Sequence, residues 1–407
     1  KTGQLQLSNA ASNARIAANN KPWKPVPLVV DRSECYAVGQ NGVVKAVAMH
    51  PTQTSIVLAS GLGGGLWRST NDGETWEDVI TNLPLVGMIN RIVFAPSNPN
   101  IVYAASSTGV IKSTDAGKTW LQTSLNWTRY FPNVNFAGDD YRSEFMYVDV
   151  NPTNPNIIIA TDCSPGDLVS KISRSIDGGL TWSSSVAFGS KNYIHDLKFH
   201  PTDGNIVYAL IDKGGNVNFY RSINGGLTFD APTNGFPNDY FNNLTERRGK
   251  LAVSPTTPDV LYLYYQYGEL GAVFYTSLDK GVTLSKVCCG PSSEFINRTT
   301  ADRDFFGENM GSVQVRWSTT LAASVTEANL VYASTNLRPR VSKDGMKSWY
   351  WDGNFAPMNE QPQSNISPNA SPPCRSYIHG DIQDVAINGS KVWIANDGGL
   401  SFSNDGG

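Results

Sequence analysis

The chain has 407 residues, with 32 Lys+Arg against 35 Asp+Glu, a net charge of −3 and 16% charged residues. That balance lacks the basic footprint of nucleic-acid binding, and no run approaches the ~18 consecutive apolar residues that span a membrane. Hydrophobic residues at 40%, with 10 Trp, 17 Tyr and 16 Phe, can build a large core and exclude global disorder.

At roughly 150 residues per domain, length alone suggests two or three domains; internal repeats override that expectation. In chain order, residues 1–20 hold no aromatic and little charge. They read as a linker, or as an arm that docks on a neighbouring molecule by adding to an exposed edge. The start at Lys1 has no apolar signal segment, which fits a processed or trimmed form and does not argue for the cytosol. The Ala/Asn-rich start is the one place where a helix competes.

From residue 44 one unit recurs. It reads as a β-branched strand, a turn, a second strand, a short third strand, an octapeptide, and a fourth strand starting at the octapeptide's last residue. The first two strands of successive units are expected at 44–51 with 56–60, 89–96 with 101–105, 146–152 with 157–160, and 194–201 with 206–210. They continue at 251–255 with 260–264, 313–319 with 330–334, and 381–387 with 392–395.

The octapeptide is the strongest signal. It runs Ser69, Asn71, Gly73, Trp76, then Ser113, Asp115, Gly117, Trp120, then Ser175, Asp177, Gly179, Trp182. Ser222, Asn224, Gly226, Phe229 follow, then Ser277, Asp279, Gly281 with Leu284 last. A sixth copy, Ser342, Asp344, Trp349, has Met346 where Gly is expected and reads as degraded. The sequence ends inside a seventh, Ser403, Asp405, Gly407. Asp or Asn folds back on backbone N–H groups, Gly supplies a positive φ, Ser and Thr satisfy local backbone groups, and the aromatic packs inward.

This phrasing resembles the Asp-box (sialidase-type) repeat, and overall the secreted Asp-box propellers, especially bacterial cell-surface ones. The fold expected is all-β: a seven-bladed β-propeller with Asp-box turns, residues 21–407 forming one domain. Residues 21–30, around Trp23, are expected to supply the last strand of the seventh blade and so avoid an open sheet edge. Continuation of the chain past Gly407 is the alternative. In such relatives a second His often stands where this chain has Gln383, a departure that weakens the carry-over of a metal site to His379 and Asp381.

Resemblance to sialidases implies an arginine triad and an Arg-Ile-Pro motif. The motif is absent, and Arg142, Arg247, Arg248, Arg303 and Arg316 are isolated in sequence. Resemblance to xyloglucanases implies a first acid just before the Gly63-Gly64 turn, where Leu62 stands, and a second propeller completing the cleft. Carboxylates outside any family pattern are Asp139 with Asp140, and Glu308 with the catalytic candidates Asp302, Asp304, Asp381 and Asp384. The bland reading makes them loop hydrogen-bonding groups. His50, His195 and His200 read as packed or exposed residues. No metal or cofactor motif is found.

Five cysteines, Cys35, Cys163, Cys288, Cys289 and Cys374, cannot all pair internally. Sequons at Asn126, Asn243, Asn297, Asn365, Asn369 and Asn388 are candidate glycosylation sites, and a secreted or cell-surface location is expected. The first functional reading is a binding or assembly module for protein or glycan partners. It would use loops 126–144, 232–248, 287–311 and 354–377, with aromatics in or beside them including Trp127, Tyr130, Phe131, Tyr240, Phe241, Phe305, Phe306 and Trp351. It includes self-association through the N-terminal arm, with no nucleic-acid partner. The second is a glycoside hydrolase of xyloglucanase or sialidase type. The third is an assembly chaperone similar to photosystem II propeller factors.

Overall fold

The computed structural model describes residues 24–26, 43–83, 86–126, 146–163, 169–190, 193–213, 216–230, 247–267, 271–289, 319–335, 338–351 and 382–404. These form seven antiparallel sheets, six built from consecutive strands and the seventh completed by the first strand of the chain. Strand β1 (Lys24–Val26) belongs to the seventh sheet. The first sheet holds β2 (Val44–Met49), β3 (Val57–Gly61), β4 (Leu66–Ser69) and β5 (Glu77–Asp78). The second holds β6 (Ile89–Phe94), β7 (Val102–Ser106), β8 (Gly109–Ser113) and β9 (Leu121–Asn126). The third holds β10 (Val148–Val150), β11 (Ile158–Cys163), β12 (Val169–Ser175) and β13 (Ser183–Ser190), and the fourth β14 (Tyr193–Phe199), β15 (Val207–Lys213) and β16 (Asn216–Ser222).

The fifth sheet holds β17 (Arg247–Val253), β18 (Leu261–Tyr267), β19 (Gly271–Ser277) and β20 (Ser285–Cys289). The sixth holds β21 (Thr319–Ala323), β22 (Val331–Thr335), β23 (Arg338–Ser342) and β24 (Tyr350–Trp351). The seventh is β25 (Ile382–Asn388), β26 (Lys391–Asn396) and β27 (Gly399–Ser403), with β1 against β27 through the pairs Lys24–Phe402 and Val26–Leu400. Of the sixth first strand expected at 313–319, only Thr319 lies among the described residues, where it opens β21.

Six octapeptides close into the same turn. Each Ser Oγ donates to the Asn or Asp Oδ1 two residues on, at 2.7–2.9 Å, and accepts the N–H four residues on, at 2.8–2.9 Å. The same Oδ1 accepts the Thr or Ser N–H at the seventh position. Positions four and five both have positive φ, for example Ala116 at 56° and Gly117 at 84°. The sixth turn is not degraded: Met346 takes the glycine position at φ 71°, fully buried, with the hydrogen bonds intact. Asp405 and Gly407 lie outside the described residues.

Neighbouring sheets are joined in two ways. Among the described residues, seven apolar clusters each span two adjacent sheets. One joins Leu58 to Ile92 and Trp120, and another joins Val44 and Val57 of the first sheet to Trp393 and Leu400 of the seventh. A Cβ on Gly117 would stand 2.7 Å from Leu58 of the preceding sheet, so the turn itself packs sheet to sheet. In the first four sheets a cation just before the octapeptide also reaches into the next turn. Arg68 Nε donates to Ala116 O (3.0 Å), Lys112 Nζ to Gly178 O (3.2 Å), Arg174 Nε to Gly225 O (2.9 Å) and Arg221 Nε to Lys280 O (2.7 Å).

Arg221→Met should therefore lower unfolding stability by about 1.5–3 kcal/mol, the usual range for a hydrogen bond to a charged group. Urea denaturation reads this directly, and an unshifted midpoint would refute the role.

Candidate functional site

The first strands of successive sheets contact one another in order, and β25 also contacts β2. Residues from all seven line a cavity of about 370 Å³. Register places Ala46, Arg91, Asp196, Lys250, Thr320 and Asp384 in one layer, each opposite the fourth residue of a run that starts across from the octapeptide Ser. Two residues on lie Asp149, paired with Ile159, and Lys198, paired with Tyr208. Register shifts leave Lys45, Asn90, His195 and Gln383 as bulged residues just before that layer in four of the sheets. Bulges re-aim side chains, and these four sit at the same place in their strands.

The channel carboxylates bind the backbone of the next sheet. Asp149 Oδ2 accepts Phe199 N–H at 2.6 Å, Asp196 Oδ2 accepts Leu251 N–H at 2.9 Å, and Asp384 Oδ2 accepts Val47 N–H at 3.2 Å. Asp196 and Asp384 also accept the N–H of the residue that follows them. Asp384, a catalytic candidate from sequence, is thus occupied in joining the seventh sheet to the first. Gln383 accepts from Lys45 Nζ at 2.8 Å and donates to Asp397 at 2.7 Å. Lys250 Nζ donates to Tyr147 OH at 3.1 Å and lies 4.9 Å from that ring's centroid.

Burial dominates the electrostatics. It pushes Asp149 up to about 6 against the pull of Arg91. It also raises Asp196, against Lys250 and Arg91, and Asp384, against Arg91. Burial and the nearby Arg248 bring Lys45 down to about 8. Burial, reinforced by Arg248 and opposed by Asp196, brings Lys250 to about 8. Arg91 is desolvated too, yet the fields of Asp384, Asp196 and Asp149 hold its guanidinium above its usual value.

Other sequence candidates fall elsewhere. Asp139, Asp140, Asp302, Asp304, Glu308, His379 and Asp381 lie outside the described residues, as do Asn243, Asn297, Asn365, Asn369, residues 1–20 and Trp23. Asn126 ends β9. Asn388 is 9% exposed and its Nδ2 donates to Pro51 O at 2.8 Å, so a glycan there would displace a bond between two sheets. His50 and His200 are buried, each Nδ1 accepting two N–H groups of the turn after its strand. Leu62 sits in the turn between β3 and β4, its N–H donating to Val43 O at 2.9 Å. Among the described residues no group of three His, Cys, Asp or Glu is placed to hold a metal, and no helix is long and apolar enough to cross a membrane.

Sequence reasoning missed Arg91, Asp149, Asp196, Lys45 and Lys250. Their signal was polar residues inside otherwise apolar first strands, as in Ile89-Asn90-Arg91-Ile92 and Ile194-His195-Asp196-Leu197.

No family model matches the chain. A xyloglucanase of Acetivibrio thermocellus is 25% identical over 228 residues, covering 47% of this chain and 26% of the relative. A Paenibacillus xyloglucanase is 25% identical over 278 residues (62% and 24%), and one from Hypocrea jecorina 28% over 203 residues (43% and 24%). The matched part spans about a quarter of the length of these curated relatives. Among solved structures, an ancestral GH74 enzyme superposes with TM-score 0.54 at 17% identity, over 95% of this chain and 48% of that one. YCF48 from Cyanidioschyzon merolae superposes with TM-score 0.55 at 14% identity, over 94% and 99%. These likenesses define the fold as a β-propeller.

The raised channel carboxylates bind protons more tightly folded than unfolded, where Asp titrates near 3.9. Their effect is to make stability fall as pH rises from about 4 through about 6. The turn aspartates act oppositely: hydrogen bonds from Thr181 and Ser175 bring Asp177 down to about 2, so its contribution is lost only in stronger acid. His50 and His200, which burial pushes down, act the other way over this interval, so the test is differential: between about pH 5 and about pH 7 the urea midpoint of Asp149→Asn should fall less, or rise more, than that of the unaltered chain. The same pH dependence in both would contradict the assignment.

Proposed function

We propose that this chain is a closed, seven-bladed Asp-box β-propeller acting outside the cell as the glucan-engaging part of a glycoside hydrolase of xyloglucanase type. The alignment of xyloglucanases from three different organisms carries this reading. The likeness to the ancestral GH74 enzyme supports its architecture. Six turns bonded alike support the Asp-box assignment, and the pairing of β1 with β27 supports closure by the N-terminal strand.

Glycoside hydrolysis needs two carboxylates flanking the bond, one giving a proton and one acting as base or nucleophile. Asp149, Asp196 and Asp384 are taken up by backbone N–H groups, so the chemistry falls to Asp302, Asp304 and Asp381. Leu62 stands where the xyloglucanase resemblance puts an acid, and leucine transfers no proton. That observation favours a second reading, in which the propeller holds a glucan without cutting it and loop aromatics stack on the sugar rings.

Incubation with xyloglucan should release reducing ends, and Asp302→Asn, Asp304→Asn or Asp381→Asn should abolish release. Retention on xyloglucan in affinity electrophoresis without release would select the second reading. Neither release nor retention would reject both. Separately, deleting residues 1–30 should abolish the cooperative thermal transition, and an unchanged melt would reject N-terminal closure.

A further inference from the structure

The channel cavity combines three observations. First, its charged lining is Arg91, Lys198, Asp149 and Asp384. Second, the two carboxylates accept backbone N–H groups from neighbouring strands, as described above. Third, among the described residues neither the Arg91 guanidinium nor the Lys198 ammonium makes a hydrogen bond within the protein, although Lys198 is only 8% exposed. Three carboxylates raise the affinity of Arg91 for its proton by their field, yet none is in contact with it.

Within the cavity's lining the carboxylates Asp149 and Asp384 are engaged by backbone N–H groups, and the two cations are not. The rest of the wall is largely apolar, with Pro51, Pro96, Pro152, Pro201 and Pro255 from the turns that follow the first strands. Its volume of about 370 Å³ falls at the small end of ligand pockets.

We propose that the channel binds a small organic carboxylate with an apolar body, its carboxylate held by Arg91 and Lys198. A guanidinium fork matches a carboxylate in plane and spacing. The unused donors bind the carboxylate, and the ligand's apolar part meets the proline-bearing wall. This site is independent of the glucan reading, because it uses the channel rather than the loops, and it stands or falls without xyloglucan hydrolysis.

Benzoate is a suitable probe, with benzamide as its neutral counterpart of the same shape. Saturation-transfer NMR on the full chain should show saturable benzoate binding, with Kd on the order of 1 mM, and none for benzamide. Arg91→Lys keeps the charge but loses the fork, and Lys198→Met removes the second donor. Each should weaken benzoate at least about tenfold while the urea midpoint shows a folded chain. Equal binding of benzoate and benzamide would overturn the proposal, as would no saturable binding of benzoate. Unchanged affinity in both folded variants would also overturn it. Where a variant fails to fold, the benzoate–benzamide comparison on the unaltered chain still decides.

Discussion

The fold depends on a turn whose side chains bond to its own backbone. Without those bonds, two successive residues at positive φ would be costly for anything but glycine. With them, the first of these positions tolerates Asp72, Ala116 and Lys280, and the second tolerates even Met346. The turn then presents two things to its neighbours. One is a glycine face that lets the preceding sheet approach, as Leu58 approaches Gly117 and Tyr208 approaches Gly281. The other is a carbonyl at its fourth residue, taken by a cation from the preceding sheet in four cases. A local hydrogen-bonding pattern thereby sets contacts between sheets.

The inner strands solve a different problem. Their edges carry N–H groups that no further strand covers, and buried donors need acceptors. Asp149, Asp196 and Asp384 supply them across the gap to the next sheet. Burying carboxylates carries its own cost, visible in their raised pKa values, and Arg91 offsets part of it by field alone. A channel that needs acceptors thus acquires a cation, Arg91, whose donors bond to none of the described residues.

Much of this was legible in the sequence and part of it was not. The turns were, because their chemistry is local: Ser, Asp and Gly at fixed spacing carry the whole pattern. The sixth first strand was less so: β21 has two β-branched residues, Thr319 and Thr320, and no Pro after it, and it packs among β17, β22 and β25. The channel was not, because bulges at Lys45, Asn90, His195 and Gln383 shift which residues share a layer. The inter-sheet cations were half visible: Arg68, Lys112, Arg174 and Arg221 all immediately precede the octapeptide Ser, a signal that periodicity alone passes over.

These constraints separate scaffold from chemistry. A carboxylate that accepts two N–H groups and helps hold sheets together cannot also give and take protons without loosening the fold. Asp384 shows the conflict, since it was a catalytic candidate by sequence and is a bridge between β25 and β2 in the structure. A propeller can therefore keep its inner acids for structure and place reacting groups on the segments between strands, where length varies freely from unit to unit. That division also fits a scaffold that superposes on both a GH74 enzyme and YCF48 at low identity: the likeness lies in the turns and sheets. The same division leaves the channel free for a ligand that takes no part in reactions at the loops.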